Sequence, residues 1–160
     1  MIFLTVGSSL PFDRLVAAVD ELIAPAKLDE VFAQIGDTLY RPQKMRWVQT
    51  LSKSDFDRML ADARFVISHA GVGTIASALS LGKPLIVMPR QRAFGEAVND
   101  HQVSTAERFG AAGHILVAHD AQQLAACLAQ VVSFTPKPRS AQPRAVSQRV
   151  AAFLNTLIDP

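Results

Sequence analysis

FVISHAGVGTIASALSLGKPLIVMP, residues 65–89, is the stretch from which the rest of the chain can be read. Phe65, Val66 and Ile67 open an apolar run of the kind that forms a strand buried on both faces. A turn carrying Gly71 and Gly73 follows, then a short helix beginning near Thr74 and stopped by Gly82. Leu85, Ile86, Val87 and Met88 form a second buried strand, ended by Pro89. Strand, turn, helix and strand in that order make a crossover between parallel neighbours. Gly71 and Gly73 allow positive φ and close backbone approach, so a ligand can lie against the amides that open the helix. Free N–H groups and the positive end of the helix dipole favour an anion there, above all a phosphate.

The same alternation continues outward in both directions. Ile2-Phe3-Leu4-Thr5-Val6 reads as a strand opening onto Gly7-Ser8-Ser9. Pro11 stands near the first turn of a helix whose Phe12, Leu15, Val16, Val19, Leu22 and Ile23 recur at helical spacing. Ser9 is the expected cap of that helix, and the turn itself is a second place where amides and hydroxyls converge. Strands are predicted over residues 31–36 and 45–48, and Ser54 is expected to cap a helix over 55–63. A polar loop over 90–100 leads into a helix ending near Gly110, residues 114–117 form a last strand, and Asp120 caps a helix carrying Leu124, Cys127, Leu128, Val131 and Val132. The economical fold is α/β: a Rossmann-like parallel sheet covered by helices on both faces, over residues 1–134. Three prolines make 135–143 an extended connector. Residues 144–160 form a terminal helix with Val146, Val150, Phe153, Leu154, Leu157 and Ile158 on one side, which folds back on the sheet or docks on a partner.

Composition excludes several classes. A chain of 160 residues is long enough to bury roughly 70% of its unfolded surface without metal or disulfide. The single cysteine, Cys127, rules out an internal disulfide and sits on an apolar helix face. No apolar run approaches the roughly 20 residues of a membrane helix, and the opening strand is too short for a signal peptide, so a cytosolic chain is expected. A formal charge of +2 is too mild for a nucleic-acid binder. Lys137, Arg139, Arg144 and Arg149 nevertheless cluster where no acidic residue stands between Asp120 and Asp159, a basic tail suited to anionic lipid or an acidic partner.

Ligands of open parallel sheets lie beyond the carboxyl ends of the strands. The residues there are Gly7, Ser8 and Ser9, then His69, Gly71, Gly73 and Thr74, and then a loop with Arg90, Arg92, Glu96, Asn99, Asp100, His101 and Gln102. The arginines suit phosphate or carboxylate, and the last four offer donors and acceptors for sugar hydroxyls. His69 beside a phosphate turn suits hydrogen bonding better than base chemistry. The four histidines show no zinc pattern, and neither a Gly-x-Ser-x-Gly elbow nor the Walker lysine is present. Residues 71–76 formally fit the dinucleotide fingerprint, but the helix is short and no acidic residue ends the next strand. An NAD-binding domain therefore stands as a lesser alternative.

Val6-Gly7-Ser8 with Pro11-Phe12-Asp13-Arg14-Leu15, Ile67-Ser68-His69-Ala70-Gly71-Val72-Gly73-Thr74, Gly82-Lys83-Pro84 and Asn99-Asp100-His101-Gln102 together resemble one family. It is the C-terminal, donor-binding domain of the family 28 glycosyltransferases, half of the two-domain GT-B architecture. The nearest likeness is to stand-alone members: the catalytic subunit of the dolichol-linked chitobiose-forming GlcNAc transferase and the small subunits of bacterial exopolysaccharide glucuronosyltransferases. The resemblance implies an inverting, UDP-sugar-dependent transferase subunit that needs no metal or other cofactor. The residues at the turns, with Ser77, would hold UDP, and the loop residues from Arg90 to Gln102 would meet the sugar. Peptidoglycan-type relatives carry a ribose-gripping glutamate where Ser77 stands here. A membrane-associated partner subunit would bind the lipid-linked acceptor and supply the catalytic base, holding this chain at the inner face of the membrane. A rival reading is a non-catalytic nucleotide-binding or assembly module.

Overall fold

The computed structural model describes residues 1–23 and 30–138. The terminal helix expected over 144–160 and most of the basic tail lie outside the described residues. Six strands, β1 (Ile2–Thr5), β2 (Val31–Gln34), β3 (Arg46–Val48), β4 (Val66–His69), β5 (Leu85–Met88) and β6 (Leu116–Val117), form one sheet in the order β3-β2-β1-β4-β5-β6. Every pairing is parallel. Helices α1 (Asp13–Leu22), α2 (Lys53–Asp62), α3 (Val72–Ser80) and α4 (His101–Ala111) lie in the crossovers, β2 runs to β3 without a helix, and α5 (Ala121–Gln130) follows β6.

The strands alternate between two cores, as a two-period element must. Ile2 and Leu4 of β1, Ile67 of β4, and Ile86 and Met88 of β5 pack with Leu15, Val16 and Val19 of α1 and with Leu124 and Leu128 of α5. Phe3, Val66, Leu85 and Val87 pack on the opposite face with Leu60 of α2, Ile75 and Ala78 of α3, and Ala106 of α4. Burial on both faces explains why these strands open as apolar runs.

Several element starts differ from the sequence expectation. Ser9 does not cap α1: the helix begins at Asp13, and its start is held from across the fold, where the Phe12 N–H donates to the buried Thr38 Oγ1 at 2.9 Å. α2 is capped by Ser52 rather than Ser54, its Oγ accepting from Asp55 N at 3.1 Å. α3 begins at Val72, two residues earlier than expected. β2 and β6 are shorter than the predicted runs. Asp120 caps α5 as expected, accepting from Gln123 N at 2.7 Å.

Two loops are fastened by side chains. Asp20, buried on α1, accepts from Gln43 N, Lys44 N and the Tyr40 hydroxyl. Burial raises the proton affinity of this carboxyl, but those hydrogen bonds outweigh it and hold the group below its ordinary value. At the other end of the chain, Lys137 N donates to Gly113 O at 3.0 Å, and its carbonyl lies 2.7 Å from His114 Nδ1, fixing the first part of the proline-rich connector.

Candidate functional site

The strand order reverses between β1 and β4, so the crevice at their carboxyl ends is where a ligand finds room in this topology. On the β1 side, Gly7 turns the chain at φ +76°, and the turn is braced by side chains: Gly7 N donates to Thr5 Oγ1 at 3.2 Å and Gln34 Nε2 donates to Gly7 O at 3.0 Å. The Ser8 and Ser9 amides make no hydrogen bond with the described residues. Facing them, α3 starts at a glycine that offers no side-chain cap. Its first amides are left for solvent or a ligand.

Of the two reasons expected for glycine at 71 and 73, positive φ does not hold: Gly71 has φ −76° and Gly73 is helical. The reason at Gly71 is the His69 ring, since a Cβ there would stand 2.2 Å from Nε2. Gly7 presses on the same ring from the other side, where a Cβ would lie 2.7 Å from Cε1. At Gly73 nothing lies within 4 Å, and the missing side chain leaves open space beside the helix start.

His69 is thus wedged between the two turns. Its Nδ1 is buried without a partner among the described residues. Burial first, and the positive charge of Arg90 second, push its pKa down to about 4, against a smaller opposing effect of the nearby Thr5 backbone. The ring is therefore neutral at physiological pH.

A cavity of about 450 Å³ opens beside these turns. It brings together Gly7, Ser8, Gly73, Thr74 and Ser77 of the expected phosphate-binding set. Ser9, His69 and Gly71 lie outside its lining. Gln34, Leu51, Lys53 and Phe56 also line it and were missed in the sequence. The first ends β2, Leu51 lies in the connection that leaves β3, and Lys53 and Phe56 stand at the start of α2. The rule that ligands gather at strand ends, applied to every strand rather than to the glycine-bearing ones, marks them.

The loop after β5 is tied down more than its polarity suggested. Arg90 is buried, its Nη2 donating to Val6 O (2.8 Å) and Leu10 O (2.6 Å) and its Nε to Pro11 O (3.4 Å). Of the two arginines expected to suit a sugar carboxylate, Arg90 thus has its fork committed to backbone carbonyls. Burial lowers its pKa to about 10, partly offset by Glu96, so the charge persists at neutral pH. Glu96 is likewise engaged, in a two-pronged pair with Arg14 (2.7 and 2.8 Å) and as acceptor from Gln91 N. Asp100 accepts from Arg92 N and Asn99 Oδ1 from His101 N, which shape the approach to α4. Gln102 Oε1 accepts from Arg90 N at 3.1 Å. The side chains of Arg92 and His101 remain exposed.

The parallel sheet with its crossover helices defines a Rossmann-like α/β domain. In dinucleotide enzymes the glycine fingerprint follows the first strand, whereas here residues 71–76 follow the fourth, which counts against the NAD reading. Residues 1–157 match the Glycosyltransferase family 28 C-terminal domain, and the chain belongs to that family. It is 31% identical over 123 residues to the UDP-N-acetylglucosamine transferase subunit ALG13 of Mus musculus, a match covering 71% of this chain and 10% of the mouse protein. The NMR solution structure of ALG13 shares the fold with a TM-score of 0.61, at 20% identity over 93% of each chain. The calicheamicin glycosyltransferase CalG4 matches 99% of this chain with 44% of its own, at a TM-score of 0.57 and 18% identity. The architecture is the C-terminal half of a GT-B fold.

Among the described residues no helix is long and apolar enough to cross a membrane, and no group of three or more His, Cys, Asp or Glu is placed to hold a metal ion.

Proposed function

We propose that this chain is the donor-binding half of a UDP-sugar-dependent, inverting glycosyltransferase, working with a membrane-associated partner subunit on a lipid-linked saccharide. The observation that carries the reading is the meeting of the turn at Gly7 and Ser8 with the uncapped start of α3 over one cavity. Amides and a helix dipole aimed at one place stabilise the charge that develops on a departing diphosphate. Lys53 also lines this cavity, its ammonium paired with the Asp57 carboxylate on the same helix. Ser77 would meet the ribose with a hydroxyl, and His101 and Gln102 would meet the sugar.

The acceptor hydroxyl must lose a proton to a general base. No carboxylate or histidine lines the cavity among the described residues, which supports a base contributed by the partner. The mouse relative is named for UDP-N-acetylglucosamine, so that donor is the first candidate. UDP-glucose and UDP-glucuronate remain in the set, with Arg92 as the exposed guanidinium for a carboxylate. The protein would be cytoplasmic and held peripherally at the inner face of the membrane by its partner, in the synthesis of an exopolysaccharide or another lipid-linked glycan.

Calorimetric titration without divalent metal, using UDP, UDP-GlcNAc, UDP-glucuronate, UDP-glucose and NAD, tests the reading. Heat from the UDP compounds and none from NAD is the expected result, and binding of NAD alone overturns it. With the partner present, His101→Ala and Gln102→Ala should each cut transfer at least tenfold. A complex inactive with every donor identifies a non-catalytic module.

A further inference from the structure

Arg90 is the one basic side chain among the buried described residues, at 2% exposure. A buried cation is costly unless something compensates it. Here no carboxylate accepts a hydrogen bond from it among the described residues. Its acceptors are three carbonyls, and a further contact is the Phe12 ring, whose centre lies 4.8 Å from the guanidinium carbon. Glu96, which acts on it only through space, is already gripped by Arg14.

The carbonyls it holds belong to Val6, Leu10 and Pro11, which bracket the turn at residues 7–9. The two serine amides between them make no hydrogen bond with the described residues. Arg90 N is in turn fixed by Gln102 Oε1, so one residue joins the β1 turn to the start of α4. The charge also reaches His69, which is faced by Arg90 from the end of β5, by the Thr5 backbone from β1, and by Gly7 and Gly71 at its two sides.

We propose that Arg90 is a positioning residue for a diphosphate: it fixes the turn at residues 7–9 through the flanking carbonyls and stores, behind that turn, a positive charge that the anion neutralises. It does not touch the ligand. The diphosphate is taken from the UDP-sugar reading, while the role rests on the grip itself. A structural strut alone would support the fold equally for charged and uncharged ligands. A positioning charge discriminates between them.

The test compares UDP, inorganic pyrophosphate and uridine on the wild-type chain, Arg90→Lys and Arg90→Met, by calorimetry and NMR titration well below each variant's melting temperature. Both variants should lose at least tenfold in affinity for UDP and pyrophosphate and less than twofold for uridine. Arg90→Lys keeps the charge but not the three-carbonyl fork, so it should retain more than Arg90→Met. In Arg90→Met the His69 ring should titrate at higher pH than in the wild type. A folded variant with an unchanged ratio of UDP to uridine affinity overturns the proposal. If neither variant folds, the Arg90 Nε–H resonance of the wild-type chain decides, shifting with UDP and pyrophosphate but not uridine if the proposal holds and unmoved by all three if it fails. Pyrophosphate binding without UDP binding removes the UDP-sugar reading and leaves Arg90 its role. Binding of neither anion removes both.

Discussion

Gly71 and Gly73 stand two residues apart and do opposite jobs. An alanine at 71 puts a methyl into the His69 ring, and forcing that overlap costs about 1–3 kcal/mol. An alanine at 73 meets open space in a helix and should stabilise the fold by about 0.5–1 kcal/mol while narrowing the cavity. Urea unfolding should therefore rank Gly73→Ala above wild type and Gly71→Ala below it, with both weakening UDP binding; equal stabilities would contradict the wedged ring. His69 carries a pH signature as well. Its ordinary pKa is 6.5 and the folded value is about 4, so between those values the unfolded chain holds more protons. Stability should rise with pH across that window and decline as pH falls through it, by roughly 3 kcal/mol in total. His69→Gln removes this contribution, and unfolding curves at pH 7 and 4.5 should show a shallower slope for the variant.

At the scale of elements, the apolar runs were legible and their starts were not. β1, β4 and β5 are buried on both faces, so β5 is apolar throughout and β1 and β4 open on apolar residues before ending in Thr5 and in Ser68 and His69. The start of α1 could not be read, because its first amide is satisfied by Thr38 from a loop 26 residues away in sequence. Ser52 and Ser54 differ only in which backbone conformation each takes, and the extended one caps. Ser52→Ala and Asp120→Ala should each cost about 1 kcal/mol, and Ser9→Ala and Ser54→Ala less than about 0.5 kcal/mol. Thermal unfolding of the four variants checks this, and a large loss from Ser9→Ala would restore it as a cap.

For the whole molecule, the loops at the carboxyl edge of the sheet are joined into one rim. Arg14 links α1 to Glu96, to the Pro89 carbonyl and to the His119 carbonyl, and lies 4.7 Å from the Phe94 ring centre. The site thus rests on ties between distant segments, all within residues 1–138. A chain ending at Pro143 should unfold cooperatively and bind UDP as the full chain does, yet fail to co-purify with an acceptor-binding partner. Retention of the partner by that shorter chain would show that residues 144–160 are not its docking element.

The sequence by itself determined the alternation of strands and helices, the parallel sheet, the two glycine turns and the family, because those follow from local periodicity and from residues adjacent along the chain. Only the tertiary structure decided what each polar residue does. Arg90 and Glu96 looked like ligand groups because both are charged and both follow a strand. Folding instead brought carbonyls of the first turn to one and Arg14 to the other. Gln34, Leu51, Lys53 and Phe56 look like ordinary strand-end and helix residues until β2 and β3 are laid beside β1. A hydrogen bond is satisfied by whichever partner lies within reach, and reach across 80 residues of chain is set by packing.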